Sequence, residues 1–451
     1  GTTPAVTDTT EAVTDTTEAV TDTTEAMTDT TTAAGELLTD IGVDDTTIKL
    51  GMLADLTGIF SPLVQDIVAA QQVYWDIVNA NGGIAGRQIE LVIEDTNYNA
   101  ETHAEKYEAL RGEVLALSQS TGSPYTAATV PKLIDDNMVT IALTWYSGWA
   151  DPAFDGGLVF EQQTNYCFEA MNMVSWLNDK HVEETGEQPT LAILSFPGEY
   201  GEDSAVGAQM AADLLGIEVV YDGRAQVVQD PNADFTPIIS QLLSTQPDWV
   251  WITTNPTIMA TIFGGSVQQG PAAQWSGAVP SYDFRLLDSP IADALGQLYW
   301  QPGYNVTWGT DVPGMQELIT AMTEARPDLR PSDASVIGWL EAKTMEAILL
   351  RAAENGDMTR AGMVAAGQSL EGVDYAGMAP AQSYAGEPND YVVREISVFK
   401  PNPALYQEAG GATQTIGAAP NAGTTGSELV EEFFVSDIVA NYDFQERCFA
   451  P

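Results

Sequence analysis

Residues 47–99 read TIKLGMLADLTGIFSPLVQDIVAAQQVYWDIVNANGGIAGRQIELVIEDTNYN, and this stretch decides the fold. Residues 47–54 carry Ile48, Leu50, Met52 and Leu53 in a short apolar run, which predicts a buried strand. Gly58 and Pro62 break the pattern over residues 55–62. From Val64 onward Val64, Ile67, Val68, Tyr74, Trp75 and Val78 recur at helical spacing. Asn81-Gly82-Gly83 then stops the helix, because glycine takes the left-handed backbone of a helix end without steric penalty. Ile89, Leu91 and Ile93 alternate as a second strand. Strand, crossover helix and strand make a βαβ unit.

The alternation continues outward from there. Residues 104–110 and 127–136 read as helices, and residues 114–117 and 139–143 as strands. A second series follows, with helices over 166–177, 205–215, 235–243 and 258–267. Its strands fall over 191–196, 217–221 and 249–252, and a short strand ends at Ala278-Val279. Two βα series of this length predict an α/β protein of two Rossmann-like lobes, each with its own parallel sheet. Long helices are expected over 315–322 and 336–353, and a late strand over 392–399.

The opening stretch resembles the start of mature periplasmic solute-binding proteins of the branched-chain amino acid type, which serve ABC importers. The resemblance rests on Leu56-Thr57-Gly58, on the turn Asn79-Ala80-Asn81-Gly82-Gly83-Ile84-Ala85-Gly86-Arg87, and on Glu94-Asp95 closing the second strand. It covers roughly residues 47–401 and fails at both ends. It implies the type I binding-protein architecture, with three chain crossings near Gln163, Gly303 and Met378 forming a hinge. The first lobe is then 47–163 plus 304–378 and the second 164–303 plus 379–401, flanked by a tail over 1–46 and an extension over 402–451. A hinge of that kind lets two lobes close on a ligand.

Composition narrows the partners. The chain has 451 residues, with 64 acids against 16 bases and a formal charge of −48. Such an excess disfavours nucleic acid and anionic membranes and suits a solvated surface in a salty medium. No apolar run reaches the ~18 residues of a membrane span. No signal peptide is visible, so Gly1 reads as a processed start. Residues 5–32 are four heptads, AVTDTTE three times and then AMTDTTT. Their apolar residues are adjacent rather than spaced three and four apart, which argues against a coiled coil. A Thr-rich disordered tether to a membrane or wall is expected. Self-association, with the tail adding as a strand to a neighbour's sheet edge, is the alternative. Cys167 and Cys448 form a disulfide if the compartment is oxidising; two free buried thiols are the other reading.

Candidate ligand residues come from loops after the carboxyl ends of predicted parallel strands, where open α/β sheets bind ligands. The loop over 118–125 is rich in hydroxyls and precedes a helix whose N-terminus suits a carboxylate. In the family a serine here holds that group, and Ser123 matches; Ser123 before Pro124 also suits a helix cap. The next loop offers Thr144, Trp145, Tyr146 and Ser147, with Trp149 beyond, and its aromatics depart from the family's small residues. Tyr200 matches a cleft-facing tyrosine of the family, and Asn255 stands near where relatives place another. Amino acid binders carry an acid near 278–285 that pairs with the ligand ammonium, and Asp283 is the nearest candidate.

Catalysis has little to stand on. G-x-S-x-G, H-E-x-x-H and P-loop patterns are missing, and His103 and His181 are the two histidines. No metal site or cofactor is expected. The sequence therefore predicts an extracytoplasmic protein that captures a small polar solute, amino acid or amide-like, for an ABC permease. A sensor ectodomain and a structural subunit of a surface assembly remain the rivals, because fold alone does not choose between them.

Overall fold

The 47–99 stretch folds as its periodicity requires, and a second domain-sized layer repeats the plan. The computed structural model describes Gly1 and residues 37–270 and 273–451. The heptads of residues 5–32 lie outside the described residues.

The first strands are β1 (Leu38–Thr39), β2 (Thr47–Ala54), β3 (Gln88–Asp95), β4 (Ala116–Thr121), β5 (Thr140–Leu143) and β6 (Val159–Phe160). β2 to β6 form a five-stranded parallel sheet in the order β3-β2-β4-β5-β6. Next come β7 (Thr190–Ser195), β8 (Glu218–Gly223), β9 (Trp249–Thr253), β10 (Gln274–Gly277) and β11 (Tyr299–Gly303). The last are β12 (Asp357–Met358), which pairs with β1, then β13 (Ile396–Pro401) and β14 (Ser427–Phe434). The second sheet has seven strands in the order β14-β13-β11-β10-β9-β7-β8. β7 to β11 are parallel, whereas β13 and β14 join antiparallel. β4, β5 and β9 are buried along their whole length, as parallel strands covered by helices on both faces must be.

The turn after the first helix shows why its residues are needed. Asn79 clamps the incoming strand, donating to the Ile89 carbonyl at 2.9 Å and accepting the Ile89 N–H at 2.7 Å. Gly83 sits at φ +72°, and a Cβ there would lie 1.8 Å from the Arg87 carbonyl oxygen. The helix itself runs Ser61–Ala80, with Pro62 in its first turn rather than outside it. Proline is tolerated there because the N–H it lacks has no helical partner anyway. This helix crosses Asp333–Glu354, where a Cβ on Gly338 would meet the Ile67 carbonyl at 2.2 Å.

Three differences from the sequence reading concern the second sheet. Val279 belongs to a short 3-10 turn, Val279–Ser281, and β10 ends at Gly277. The late strand starts at Ile396 instead of residue 392, because Pro388–Tyr391 is a helical turn. The extension, which had no expected place, supplies β14 as the outer strand.

The chain passes between the two sheets after β6, after β11 and before β13. The first and third passages are tied together: the Gln163 N–H donates to Gln382 Oε1 at 2.8 Å and Gln382 Nε2 to the Glu161 carbonyl at 3.0 Å. Gln163 takes a left-handed φ of 73° at this point. Cys167 and Cys448 are bonded as a disulfide.

Candidate functional site

A cavity of about 100 Å³ lies between the two lobes, against the carboxyl ends of the parallel strands. Its walls are rich in aromatic rings: Phe60, Tyr98, Trp145, Tyr166, Tyr200 and Phe284 all face it. Each ring is placed by local structure. Asp55, at the end of β2, accepts the N–H groups of Gly58 at 2.6 Å and Phe60 at 2.8 Å, which folds the loop and delivers the Phe60 ring. Burial raises the Asp55 carboxyl while those two N–H bonds hold it down. Asp95 braces the same loop from β3, accepting from the Leu56 N–H at 3.0 Å and the Thr57 hydroxyl at 2.6 Å.

The rings lean on one another, Phe60 edge to face on its neighbours and the others tilted. Phe60 meets Tyr98 at 4.8 Å and Tyr200 at 6.0 Å between centroids; Tyr200 meets Tyr166 at 4.8 Å. Trp145 is fixed by its indole N–H, which donates to the Gln162 carbonyl at 2.7 Å, and its ring lies 4.6 Å from Tyr304. Burial pushes the hydroxyls of Tyr98, Tyr166 and Tyr200 well above their ordinary range, so all three remain neutral.

The polar end of the cavity is the start of the helix Ser123–Asp136. β4 runs on to Thr121, so the expected loop over 118–125 shrinks to a single residue, Gly122, at φ +96°. A Cβ there would press on Tyr98 at 2.8 Å and Tyr125 at 3.0 Å. Ser123 faces the cavity and its hydroxyl is hydrogen bonded to that of Thr144, which stands behind it. Pro124 has no N–H and the Thr126 N–H is bonded to the Gly122 carbonyl, so the donors this helix start can offer an anion are the Ser123 and Tyr125 N–H groups.

The charged groups on the wall are already engaged. Asp283 lines the cavity, yet its Oδ1 accepts the Arg285 N–H at 2.7 Å and its Oδ2 accepts Arg285 Nη1 at 2.9 Å. Arg285 also reaches across to Asp66 Oδ2 at 2.6 Å, from the second lobe to the first helix. Asp333, pushed up by burial, accepts from the Trp308 N–H and the Thr307 hydroxyl, both at 2.7 Å.

The structure thus gathers Ser123, Trp145, Tyr200 and Asp283 around the cavity, with Thr144 one layer back. Tyr146, Ser147 and Asn255 do not line it. Tyr146 packs on Trp149 and Phe154, and its hydroxyl donates to the Phe449 carbonyl. Ser147 donates from its N–H and hydroxyl to Asp203 at 3.0 and 2.5 Å and accepts the Cys448 N–H at 2.8 Å. Asn255 caps the helix Pro256–Val267 by accepting the Ile258 N–H at 2.8 Å. Sequence reading missed Phe60, Tyr98 and Tyr166 on the wall and Arg285 bound to Asp283 behind it; Phe60 and Tyr98 are aromatics in the loops after β2 and β3, which is the signal that was there to use.

The profile of the periplasmic binding protein family matches residues 47–400. The chain belongs to that family. Among solved structures, this periplasmic binding protein is similar to a fatty acid ABC transporter substrate-binding protein from Thermomonospora curvata. The two share 27% identity over 90% of this chain and 97% of that one, with a TM-score of 0.78. It is also similar to a branched-chain amino acid ABC transporter protein from Thermus thermophilus with bound valine, at 17% identity, 88% and 99% coverage and a TM-score of 0.72. A possible leucine/isoleucine/valine-binding protein from Rhodopirellula baltica shares 18% identity, with 86% and 97% coverage and a TM-score of 0.67. No curated protein matches the chain. As a member of this family the protein is an extracytoplasmic solute-binding component of an ABC transporter, and no described helix is long and apolar enough to cross a membrane.

Proposed function

We propose that this periplasmic binding protein captures a small, mainly apolar carboxylate between its lobes and presents it to an ABC permease. The observation that carries the reading is the distribution of polarity. The cavity wall is largely aromatic and aliphatic, its two carboxylates, Asp283 and Asp333, are already hydrogen bonded, and the helix start at Ser123 is the place on it that favours an anion. An anion is favoured at such a helix start by the free N–H groups and the helix dipole. The volume of about 100 Å³ is smaller than the ~150 Å³ of a dry cavity that takes benzene, so the closed site suits a compact aliphatic chain. The similarity to a fatty acid substrate-binding protein supports the same chemistry.

A polar amino acid-like solute is the second reading, favoured by the valine-bound neighbour and by Asp283 on the wall. It requires Asp283 to exchange Arg285 for the ligand ammonium. Isothermal titration of the protein with 4-methylpentanoate, benzoate and L-leucine separates the two. Binding of the simple acids supports the proposal, and binding of leucine alone rejects it. The Thr-rich heptads of residues 5–32 serve in this reading as a tether to the membrane or wall. The alternative, assembly through that tail, predicts an oligomer in high salt that is lost when residues 1–34 are deleted, measured by light scattering.

A further inference from the structure

One guanidinium and two carboxylates meet at the edge of the cavity, and the three come from both lobes. Arg285 follows Asp283 by two residues, so its own N–H and its Nη1 close on the two oxygens of the same carboxylate at 2.7 and 2.9 Å. Its Nη2 spans to Asp66 on the first helix at 2.6 Å. The guanidinium lies 4.7 Å over the Phe284 ring, which the Arg330 guanidinium also approaches, at 4.9 Å. Phe284 faces the cavity, so the ion cluster is held directly behind the wall.

Asp283 is 5% exposed and Asp66 is 8% exposed. A buried carboxylate stays charged only where hydrogen bonds or a cation offset its desolvation. In this protein the chain itself supplies that cation. An entering ammonium would find both acids already neutralised and a like charge beside them. It would have to displace a guanidinium that bridges Asp283 Oδ2 and Asp66 Oδ2 and is tethered beside them by the chain itself.

We infer that Arg285 is a specificity-determining residue, a built-in counter-ion that holds Asp283 and Asp66 and thereby excludes α-amino acids in favour of their des-amino analogues. This rests on the apolar-carboxylate reading and extends it. Selection of this kind works by making the wrong ligand unfavourable, not by adding contacts to the right one. Removing the guanidinium leaves Asp283 on the wall, and Asp66 behind it, without a cation.

The test uses the full chain and two probes that differ only by an ammonium group, L-leucine and 4-methylpentanoate, titrated calorimetrically. The wild type binds 4-methylpentanoate more tightly than leucine, and in Arg285→Gln that preference falls at least about tenfold, because a freed buried acid now rewards the ammonium. Adding Asp283→Asn to Arg285→Gln moves the preference back toward the wild-type value. Arg285→Lys, which keeps the charge, continues to exclude leucine, and this variant together with the wild-type ratio carries the test if Arg285→Gln does not fold. An unchanged ratio in Arg285→Gln, or loss of exclusion in Arg285→Lys, overturns the inference while leaving the ligand class intact. Wild-type protein that binds neither probe, or binds leucine as tightly as the acid, overturns it as well; binding of neither acid nor benzoate removes the ligand reading beneath it.

Discussion

Asp203 is the place to perturb the junction between the lobes. It lies fully buried in the helix Glu199–Leu215 of the second lobe and accepts both the N–H and the hydroxyl of Ser147 from the first. Burial pushes its carboxyl from 3.8 up to about 7, against the pull of the Ser147 bonds. A folded-state value above the unfolded one means that the folded protein holds this proton more tightly. The associated stability is complete below pH 3.8 and is lost as the pH rises through 7. At 1.36 kcal/mol per unit the whole effect is about 4 kcal/mol, and roughly 2.7 kcal/mol of it falls between pH 5 and pH 7. Asp203→Asn removes the titration while keeping an amide oxygen for the Ser147 N–H. Urea unfolding of both proteins at pH 5, 6, 7 and 8 reads the difference. The wild type should lose stability relative to the variant by about 1.4 kcal/mol per unit across pH 5 to 7 and then level off. Asp155 and Glu169, also raised by burial, are shared by both proteins and cancel in the comparison. Parallel pH profiles would show that Asp203 is ionised without penalty and that the reasoning is wrong.

Three further outcomes follow from the same geometry. Replacing Cys167 and Cys448 by serine frees a separation of 281 residues, and chain entropy puts the loss at about 5.6 kcal/mol at most, visible as a lower guanidinium midpoint; an unchanged midpoint refutes this. Ser123→Ala weakens 4-methylpentanoate binding by about 1.5–3 kcal/mol, the range for a hydrogen bond to a charged group, and calorimetry finds no effect if the acid sits elsewhere. Gly122→Ala forces a Cβ onto Tyr98 and Tyr125 at a left-handed φ, so the melting temperature should fall by the equivalent of about 1–3 kcal/mol, with ligand binding lost alongside it.

The periodic parts of the fold were legible because their causes are local. The helix after β2 and the alternation in β3 depend on neighbours a few residues away, and so does the turn at Gly83. Ser123 could be found from its place after a parallel strand. Tyr146 and Ser147 could not be placed, because their partners, Phe449 and Cys448, lie about three hundred residues further along the chain. Asn255 precedes Pro256, the ordinary opening of a helix, and capping claimed it. β14 was hidden because SELVEEFF lies at the sheet edge with five of its eight residues exposed, so no apolar face marks it. Nothing in the sequence marks Arg285; its bond to Asp66 exists only because the folding of the two lobes brings the two together.

The Cys167–Cys448 bond also makes the chain a covalent circuit. The enclosed segment holds every strand of the second sheet, β7 to β11, β13 and β14, and with them the helix Asp333–Glu354 of the first lobe. A protease that nicks any surface loop in this interval releases no fragment, since both new ends stay attached through the sulfurs. A single cut should therefore leave the mass unchanged on a non-reducing gel and yield two bands only after a thiol is added. For a protein working outside the cytoplasm among secreted proteases, one break in the backbone need not separate the two halves of the ligand cavity.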